Sequence, residues 1–373
     1  MILLVVGPGQ GSAIARGIAR ELVFAGKRVE VVLGSEARQF VGPAAFAPFA
    51  SVVEEATEGA EAVAFAPATS GDLARLAWGL DRGGAGCVYP STVRPVIIAP
   101  ELDETTRDHP AVRKNVALLQ GDRCRVLQGA GEDIASPLAV AGAVLNAIGG
   151  PLSGLRVLVT AGGTREPIDR VRVISNRSSG KMGRALAREA YRLGAEVTVV
   201  AASMEEREPG VEWVDVETYD EMEEVTTSLA KGADALIMAA AVSDFTPAEV
   251  EAGKIRRGGR EELDLKLVAT GDILEATRES NPDLFMVGFA ATHGAPAPDA
   301  REKLEKKGVN LMIGNDISRK GTGFGSDENE VVIVGRAGED YVPRASKGQV
   351  GRAILKALAR EIGWESRRHE EEA

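Results

Sequence analysis

Aromatic residues are scarce in this chain of 373 residues: Phe, Trp and Tyr make up 4% of it, although 44% of the residues are hydrophobic. Its cores must therefore be built mainly from Val, Ile, Leu and Ala. These residues favour the fully buried strands of parallel α/β layers and argue against an aromatic-rich β-sandwich. The length exceeds what one ordinary hydrophobic core accommodates, so we expect two domains.

Cysteine and histidine are also rare. The two cysteines, Cys87 and Cys124, exclude a disulfide framework, and three scattered histidines make a metal cluster unexpected. The formal net charge of −11 argues against general nucleic-acid binding but leaves room for a local nucleotide site. No apolar run approaches the ~20 residues of a membrane helix, and the first residues lack the basic flank of a signal peptide. We therefore predict a cytoplasmic protein with no nucleic-acid or membrane partner.

Apolar runs alternating with glycine turns and amphipathic stretches divide the chain into two βαβ-rich halves. The predicted fold is α/β with two Rossmann-like domains. Residues 1–149 are expected to form a flavodoxin-type parallel sheet. Residues 155–364 are expected to form a mixed sheet, because an antiparallel hairpin is predicted near their end. Glycine, proline and serine predict a linker at residues 150–154, and the charged residues 365–373 predict a frayed tail.

The most informative stretch is Leu155–Val200, whose pattern predicts a strand, a long polar loop, a helix and a second strand. The loop ends in the sequence SNRSSGK at residues 175–181, directly before the helix. A loop at the carboxyl end of a parallel strand lies where ligands bind, and the free N–H groups of a helix N-terminus favour an anion. One Ser or Asn would be explained by helix capping alone. The longer polar run favours a ligand site.

Three further segments contain residues suited to a nucleotide. Residues 239–245, AAAVSDF, leave a strand with small side chains and then Asp244, which could accept from a ribose or a base or simply stabilise a turn. Residues 254–257 form a basic cluster in an acidic protein. Lys303 and Lys307 are four apart, and therefore share one helix face. Each cluster alone also fits a solvated surface, but together they suit a polyphosphate.

These motifs resemble phosphopantothenate–cysteine ligase, the carboxyl-terminal half of the bifunctional coenzyme A biosynthesis flavoproteins. In chain order the matching motifs are TAGGTREPIDRVRVISNRSSGKMG, AAAVSDF, KIRR, GDIL, VGFAA, LEKKGVNLMIGND, GFGSDENEV and ASK. The resemblance implies that the carboxylate of 4′-phosphopantothenate attacks the α-phosphate of CTP, releasing pyrophosphate and forming an acyl-cytidylate. The amine of L-cysteine then displaces CMP. The protein would orient the anions and neutralise charge, with Mg²⁺ accompanying the triphosphate.

The resemblance also implies roles for individual residues. Asn176 matches the asparagine that holds the acyl intermediate, and Lys254 matches the lysine of the nucleotide step. The implied CTP contacts are Ala240, Asp244, Lys254, Gly271, Asp272, Ile273, Leu274, Phe289, Lys303 and Lys307. The implied phosphopantothenate contacts are Gly163, Arg172, Asn176, Ser178, Ser179, Gly180 and Lys181. Ligases of this family form homodimers whose interface shares part of the phosphopantothenate site. Thr292 departs from the family, which usually has glutamate there.

The first half resembles the flavin-dependent decarboxylase of the same proteins, through VEVVLGSEARQFVGPAAF, AFAPATSGDLARLAWGL and PVIIAPELDETTRDHPAVRKNVALL. Its catalytic groups are missing. No histidine lies between Phe46 and Ala62, Asp103 replaces an asparagine, and residues 131–137 lack the flap cysteine. These losses predict that no decarboxylase activity remains. The candidate remnants of an FMN site are Ser35, Ala66, Pro67, Ala68 and Thr69. Gly71 replaces the asparagine common after them, so the sequence leaves FMN binding open.

Two alternatives stay open at this level. The first is a fully bifunctional enzyme that also decarboxylates 4′-phosphopantothenoylcysteine with FMN. The second is a non-catalytic flavin- or nucleotide-binding regulatory protein. The sequence does not determine the preference for CTP over ATP, or whether the first domain forms a higher oligomer.

Overall fold

A computed structural model describes residues 1–54, 59–80, 94–120, 124–127, 129, 134–258, 261–318, 323 and 325–363. The chain divides into two compact units, Met1–Gly150 and Pro151–Ala373. The described residues of each unit form an α/β structure around one main sheet, which confirms the predicted fold class. No helix in these ranges is long and apolar enough to cross a membrane. Cys87 and the predicted tail, residues 365–373, lie outside the described residues.

The first unit has one six-stranded parallel sheet. Its strands are β1 (Ile2–Val6), β2 (Val29–Leu33), β3 (Ser51–Val53), β4 (Ala62–Ala68), β5 (Val96–Pro100) and β6 (Cys124–Val126). Its helices are α1 (Ile14–Phe24), α2 (Ser70–Ala77), α3 (Glu104–Asp108), α4 (Pro110–Gln120) and α5 (Pro137–Ile148). The strand order is β3-β2-β1-β4-β5-β6. When the short edge strand β3 is set aside, the order is that of flavodoxin-like sheets.

Complete burial explains why the strands of the first unit could be recognised in the sequence. Every residue of β1, β2, β4 and β5 is buried, so each strand is a continuous run of mainly apolar residues. Strand β3 was not predicted. It has three residues and none of them is fully buried, so it leaves no apolar run in the sequence.

The second unit has an eight-stranded mixed sheet in the order β11-β10-β7-β12-β15-β16-β17-β18. Its strands are β7 (Arg156–Gly162), β8 (Arg165–Pro167), β9 (Val173–Ser175), β10 (Glu196–Ala202), β11 (Glu212–Val216), β12 (Ala235–Met238), β13 (Phe245–Pro247), β14 (Leu267–Ala269), β15 (Phe285–Thr292), β16 (Leu311–Asp316), β17 (Glu328–Gly335) and β18 (Gly338–Ser346). Its helices are α6 (Lys181–Arg192), α7 (Tyr219–Ala230), α8 (Ile273–Ser280), α9 (Pro296–Lys307) and α10 (Lys347–Ile362). Strands β17 and β18 are antiparallel, as the predicted hairpin requires.

Two small antiparallel pairs were not predicted. Strands β8 and β9 form a hairpin inside the stretch expected to be a loop, and β13 pairs with β14. Strands β8, β9 and β13 have three residues each, most of them exposed or half-buried, so no alternation of apolar side chains marks them. Strand β14 overlaps the strand that residues 264–268 predict, although its pairing with β13 was not predicted. The predicted linker also contributes to a core: Leu152 is fully buried in the second unit, and its N–H donates to the carbonyl of Leu193 at 3.0 Å.

The strand order of the second unit creates a crevice beside β7. Strand β10 pairs with one edge of β7 and β12 with the other, both parallel to it. The connections from β7 to β10 and onward to β12 therefore lead to opposite sides of β7. In open α/β sheets, ligands bind outside the carboxyl ends of the strands at such a switch point.

Candidate functional site

A cavity of about 400 Å³ lies at the carboxyl ends of β7, β12 and β15. The volume falls within the usual range for ligand pockets. Thirteen sequence-predicted residues line the cavity, namely Asn176, Ser178, Ser179, Gly180, Lys181, Ala240, Asp244, Gly271, Asp272, Ile273, Leu274, Phe289 and Lys303. Lys254, Lys307, Gly163 and Arg172 are outside this wall. The structure thus brings most of the two predicted contact sets together.

Backbone hydrogen bonds join the segments that follow β7 and β12. The N–H of Ala241 donates to the carbonyl of Gly162 at 2.8 Å. The N–H of Ser243 donates to the hydroxyl of Thr164 at 3.0 Å. Gly162 has φ +89°, and a Cβ there would lie 1.8 Å from the carbonyl oxygen of Ala202. Only glycine fits this turn, through which the chain passes from β7 into the polar loop.

The side chain of Asn176 connects the two segments. Its Nδ2 donates to the carbonyl oxygens of Val242 at 2.9 Å and Ala241 at 3.3 Å. An amide has two N–H donors, so both are engaged by the backbone here. Asn176 therefore holds the polar loop against the small-residue segment.

Gly163 packs against the Asn176–Lys181 loop. It is buried, and a Cβ on it would lie 3.3 Å from the Cβ of Ser178 and 3.4 Å from the carbonyl oxygen of Asn176. The absence of a side chain thus allows the loop to pack closely over the end of β7. The structure gives Gly163 a packing contact with the loop, whereas its predicted contact with substrate remains a prediction.

The segment after β14 is attached to the segment after β12 by Thr270. Its hydroxyl donates to the carbonyl of Ser243 at 2.8 Å, and its N–H donates to the carbonyl of Asp244 at 3.1 Å. Gly271 follows, where a Cβ would lie 2.5 Å from the hydroxyl of Tyr219. These contacts place the GDIL motif, residues 271–274, on the cavity wall. Small residues on both segments leave room for a ligand.

The basic segment around Lys254 is anchored outside the cavity. The N–H of Ile255 donates to Oδ2 of Asp169 at 3.0 Å, and Nη1 of Arg172 donates to the carbonyl of Ile255 at 3.3 Å. Burial opposes ionisation of Asp169, but hydrogen bonds from the N–H groups of Ile255, Val171 and Arg172 lower its pKa to about 2. Arg172 thus holds the segment, and Lys254 itself is exposed.

Lys303 and Lys307, the two lysines of α9 that the sequence analysis selected, differ in their surroundings. The exposed Lys303 lines the cavity and has no hydrogen-bond or ion-pair partner among the described residues. The Nζ of Lys307 donates to Asp272 at 2.6 Å and to Glu275 at 2.8 Å. Burial alone would lower the pKa of Lys307, but its bonds to these two carboxylates raise it. Lys307 therefore fastens α9 to the start of α8.

Several cavity residues were not selected from the sequence. They are Met182, Tyr219, Met238, Ala239, Ala241, Val242, Ser243, Thr270, Ala291, Asn315, Gly323, Asn329 and Lys347. Lys347 is the least expected: it is 7% exposed, and its Nζ donates to the carbonyl of Gly323 at 3.2 Å. Burial lowers its pKa, and the charge of Lys181 lowers it further. The ASK motif was visible in the sequence, but there it indicated only the start of the last helix.

No group of three or more His, Cys, Asp or Glu side chains that could bind a metal occurs among the described residues. Asp244 offers a single exposed carboxylate at the cavity, without a side-chain partner in the described part of the chain. Mg²⁺ is usually held by one or two carboxylates together with substrate phosphates. The residues present fit that mode of binding.

The glycine turn of the first unit is occupied by the chain's own carboxylate. Oε1 of Glu101 accepts the N–H of Gly11 at 3.0 Å, and a Cβ on Gly9 would lie 2.1 Å from Oε2. Glycine turns before a helix are places where a phosphate binds. A flavin phosphate does not fit at this turn while Glu101 holds it.

The candidate remnants of an FMN site lie after β2 and at the end of β4. Ala66, Pro67 and Ala68 are buried residues of β4, and Ser35 is exposed after β2. The hydroxyl of Thr69 accepts the N–H of Asp72 at 3.1 Å, and the Asp72 carboxylate accepts the N–H of Thr69 at 2.9 Å. This capping box gives Thr69 a structural explanation without a ligand.

The family model described as DNA/pantothenate metabolism flavoprotein C-terminal domain matches residues 152–362. The chain is 32% identical over 393 residues to Coenzyme A biosynthesis bifunctional protein CoaBC of Bacillus subtilis (strain 168), covering 96% of both proteins. It is 34% identical over 365 residues to the protein of the same name from Thermococcus kodakarensis, covering 90% of this chain and 89% of that one.

One solved structure similar to this chain is the C-terminal domain of Coenzyme A biosynthesis bifunctional protein CoaBC. It is 33% identical with a TM-score of 0.49, and the match covers 57% of this chain and 98% of that chain. The family domain occupies more than half of the chain, and the relatives match nearly all of it. The chain therefore belongs to the family of coenzyme A biosynthesis bifunctional proteins, and its second unit carries the DNA/pantothenate metabolism flavoprotein C-terminal domain.

Proposed function

We propose that this protein joins 4′-phosphopantothenate to L-cysteine in a CTP-dependent reaction, through an acyl-cytidylate, and so produces 4′-phosphopantothenoylcysteine. The observation that carries the proposal is the convergence of the Asn176–Lys181 loop, residues 239–244, residues 271–274 and Lys303 on one cavity. The Asn176–Lys181 loop would hold the acyl group, and residues 239–244, residues 271–274 and Lys303 would hold the nucleotide. Family membership supports the assignment to coenzyme A biosynthesis.

The nucleotide step needs cations beside the triphosphate and room for the base. Lys303 supplies at the cavity an ammonium that has no protein partner among the described residues, and Ala240 and Gly271 leave space for close backbone approach. Asp244 offers a carboxylate for a ribose or base, or for Mg²⁺ carried by the phosphates. Lys254 is anchored outside the wall in this conformation, so we propose that its segment moves inward when the triphosphate binds.

The acyl-transfer step needs a donor for the carbonyl oxygen of the reacting acyl group. In the family assignment this donor is Asn176, whose two N–H groups are here bonded to the carbonyls of Ala241 and Val242. We propose that the acyl-cytidylate displaces one of these carbonyls and accepts from Nδ2. Hydrogen bonds of this kind lower the barrier when they strengthen as charge develops on the oxygen.

We further propose that the first unit does not decarboxylate. The absent histidine, the Asp103 substitution and the absent flap cysteine remove three catalytic groups. The occupation of the glycine turn by Glu101 supports the same conclusion, because it removes an anion position. In this proposal the ligase units pair as a homodimer, and light scattering of the full chain tests that state.

The decisive experiment measures pyrophosphate release from the full chain with 4′-phosphopantothenate, L-cysteine and Mg²⁺, using CTP and ATP in parallel. Rapid release with CTP, together with formation of 4′-phosphopantothenoylcysteine, is expected. No release with either nucleotide would refute the ligase assignment and favour the non-catalytic alternative. The same reaction is assayed for CO₂, and the purified protein for flavin absorbance. A yellow protein that releases CO₂ would show that the bifunctional alternative is correct.

A further inference from the structure

Lys347 is a buried amine in the wall of the ligase cavity. It begins α10 and is 7% exposed, yet it lines the same cavity as Asn176. Its Nζ donates to one carbonyl oxygen, that of Gly323 at 3.2 Å. An ammonium has three donors and a buried charge normally has a carboxylate partner. Within the described residues, no carboxylate lies at ion-pair distance from Lys347.

The charged groups around Lys347 do not replace such a partner. Lys181 and Asp327 act on it electrostatically, but they are paired with each other at 2.6 Å. Lys181 also donates to the carbonyl of Gly325 at 3.2 Å. Burial and the Lys181 charge lower the pKa of Lys347, and Asp327 opposes them more weakly. The neutral amine is therefore favoured relative to an exposed lysine.

We propose that Lys347 is the general base that receives a proton from the α-ammonium group of cysteine in the second half-reaction. The inference rests on the proposed ligase function. The α-amino group of a free amino acid is largely protonated at neutral pH and is then no nucleophile. A neutral amine that faces the cavity from a buried position can accept this proton.

One proton moves from the cysteine ammonium to Nζ of Lys347, and the freed amine attacks the acyl carbon of the acyl-cytidylate. The C–N bond forms, the bond between that carbon and the phosphate oxygen breaks, and CMP leaves with the electron pair. The second proton of the former amine is released to solvent when the tetrahedral adduct collapses. Lys347 then returns its own proton to solvent.

Hydroxylamine separates this role from a structural one. It is uncharged at neutral pH and attacks the acyl-cytidylate without prior deprotonation, giving a hydroxamate. Lys347→Met is expected to reduce the rate of amide formation with cysteine by about 100-fold or more, the usual scale of general base catalysis. Pyrophosphate release in the first turnover and hydroxamate formation are expected to stay at wild-type rates. The amide deficit should narrow as pH rises, because cysteine then loses its proton to solvent.

Two further variants complete the test. Lys347→Arg keeps a cation near Gly323 but cannot accept a proton, so it should show the same selective loss. Lys356→Met removes an exposed lysine from the same helix and should change none of the three rates. Equal losses of amide and hydroxamate, or unchanged amide formation in Lys347→Met, would overturn the proposal. If the wild type releases no pyrophosphate, the proposed function itself fails.

Discussion

Replacing Lys303 or Lys307 of helix α9 with methionine is expected to separate a ligand contact from a structural contact. Lys303 and Lys307 lie four residues apart, but only Lys303 lines the cavity and is free of protein partners in the described residues. Lys307 bridges Asp272 and Glu275 at 2.6 and 2.8 Å. We therefore expect the two variants to differ: Lys303→Met should raise the KM for CTP, and Lys307→Met should mainly lower the stability of the second unit.

The magnitudes follow from these contacts. A hydrogen bond between a charged donor and a phosphate contributes about 1.5–3 kcal/mol, so Lys303→Met should raise the KM for CTP roughly 10- to 100-fold. The Lys307 side chain is 20% exposed and Asp272 is 32% exposed, which places the bridge between surface and core. We expect Lys307→Met to cost about 1–2 kcal/mol, or roughly 2–8 °C in the Tm of the second unit.

The assay combines initial rates over a range of CTP concentrations with calorimetry of the same full-length preparations. Lys306→Met serves as the control, because this neighbouring lysine is exposed and outside the cavity wall. It should change neither quantity. The structural role of Lys307 is wrong if Lys307→Met raises the KM for CTP as much as Lys303→Met does and leaves the Tm unchanged. In that case Lys307 would contact the nucleotide directly.

Three further predictions concern the loop, the packing of α6 on α10 and the anchor of the basic segment. Asn176→Asp places a carboxylate against the carbonyls of Ala241 and Val242, so amide product should fall sharply in single-turnover assays while pyrophosphate release persists; a wild-type rate of product would contradict the role of Asn176. Glu189→Gln removes the carboxylate that Arg352 holds at 2.8 Å in a buried site, which should lower the free energy of unfolding by about 2 kcal/mol in urea titrations. The pKa of Asp169 is lowered from 3.8 to about 2, so its contribution to stability is complete above about pH 4 and is lost as pH falls towards 2. The stability difference between wild type and Asp169→Asn should therefore shrink over that window, and a constant difference would count against the anchor.

The amino-acid pattern predicted the fold class and most of the loops that line the cavity. Strands such as β1 and β4 are buried on both faces, so each appears as an apolar run whatever its neighbours are. Parallel strands joined by helices must present the loops at their carboxyl ends on one edge. The polar Ser175–Lys181 run could therefore be assigned to a ligand site before its partners were known. Short strands such as β8 and β13 could not be predicted, because three residues that are mostly exposed or half-buried show no alternation of apolar and polar side chains.

Which basic side chains face the cavity depends on contacts between distant segments of the chain. Lys303 and Lys307 share a helix face in the sequence, but Asp272 and Glu275 come from another helix and capture one of them. Lys254 belongs to a basic cluster in the sequence, but its segment is anchored outside the cavity. There the N–H of Ile255 donates to Asp169, which lies 86 positions earlier in the chain. Such partners depend on strand order and on hydrogen bonds between distant segments, which local patterns do not contain.

The same distinction applies to residues with no visible signal. Glu101 occupies the glycine turn after β1. Its carboxylate accepts the N–H of Gly11, which lies 90 positions earlier in the chain. Lys347 looks like the first residue of a surface helix, but its side chain is buried and its amine donates to the carbonyl of Gly323. Burial of a charged side chain is decided by what packs over it from elsewhere. The sequence thus located the cavity's loops, and the packing of distant segments decided which groups there are free to react.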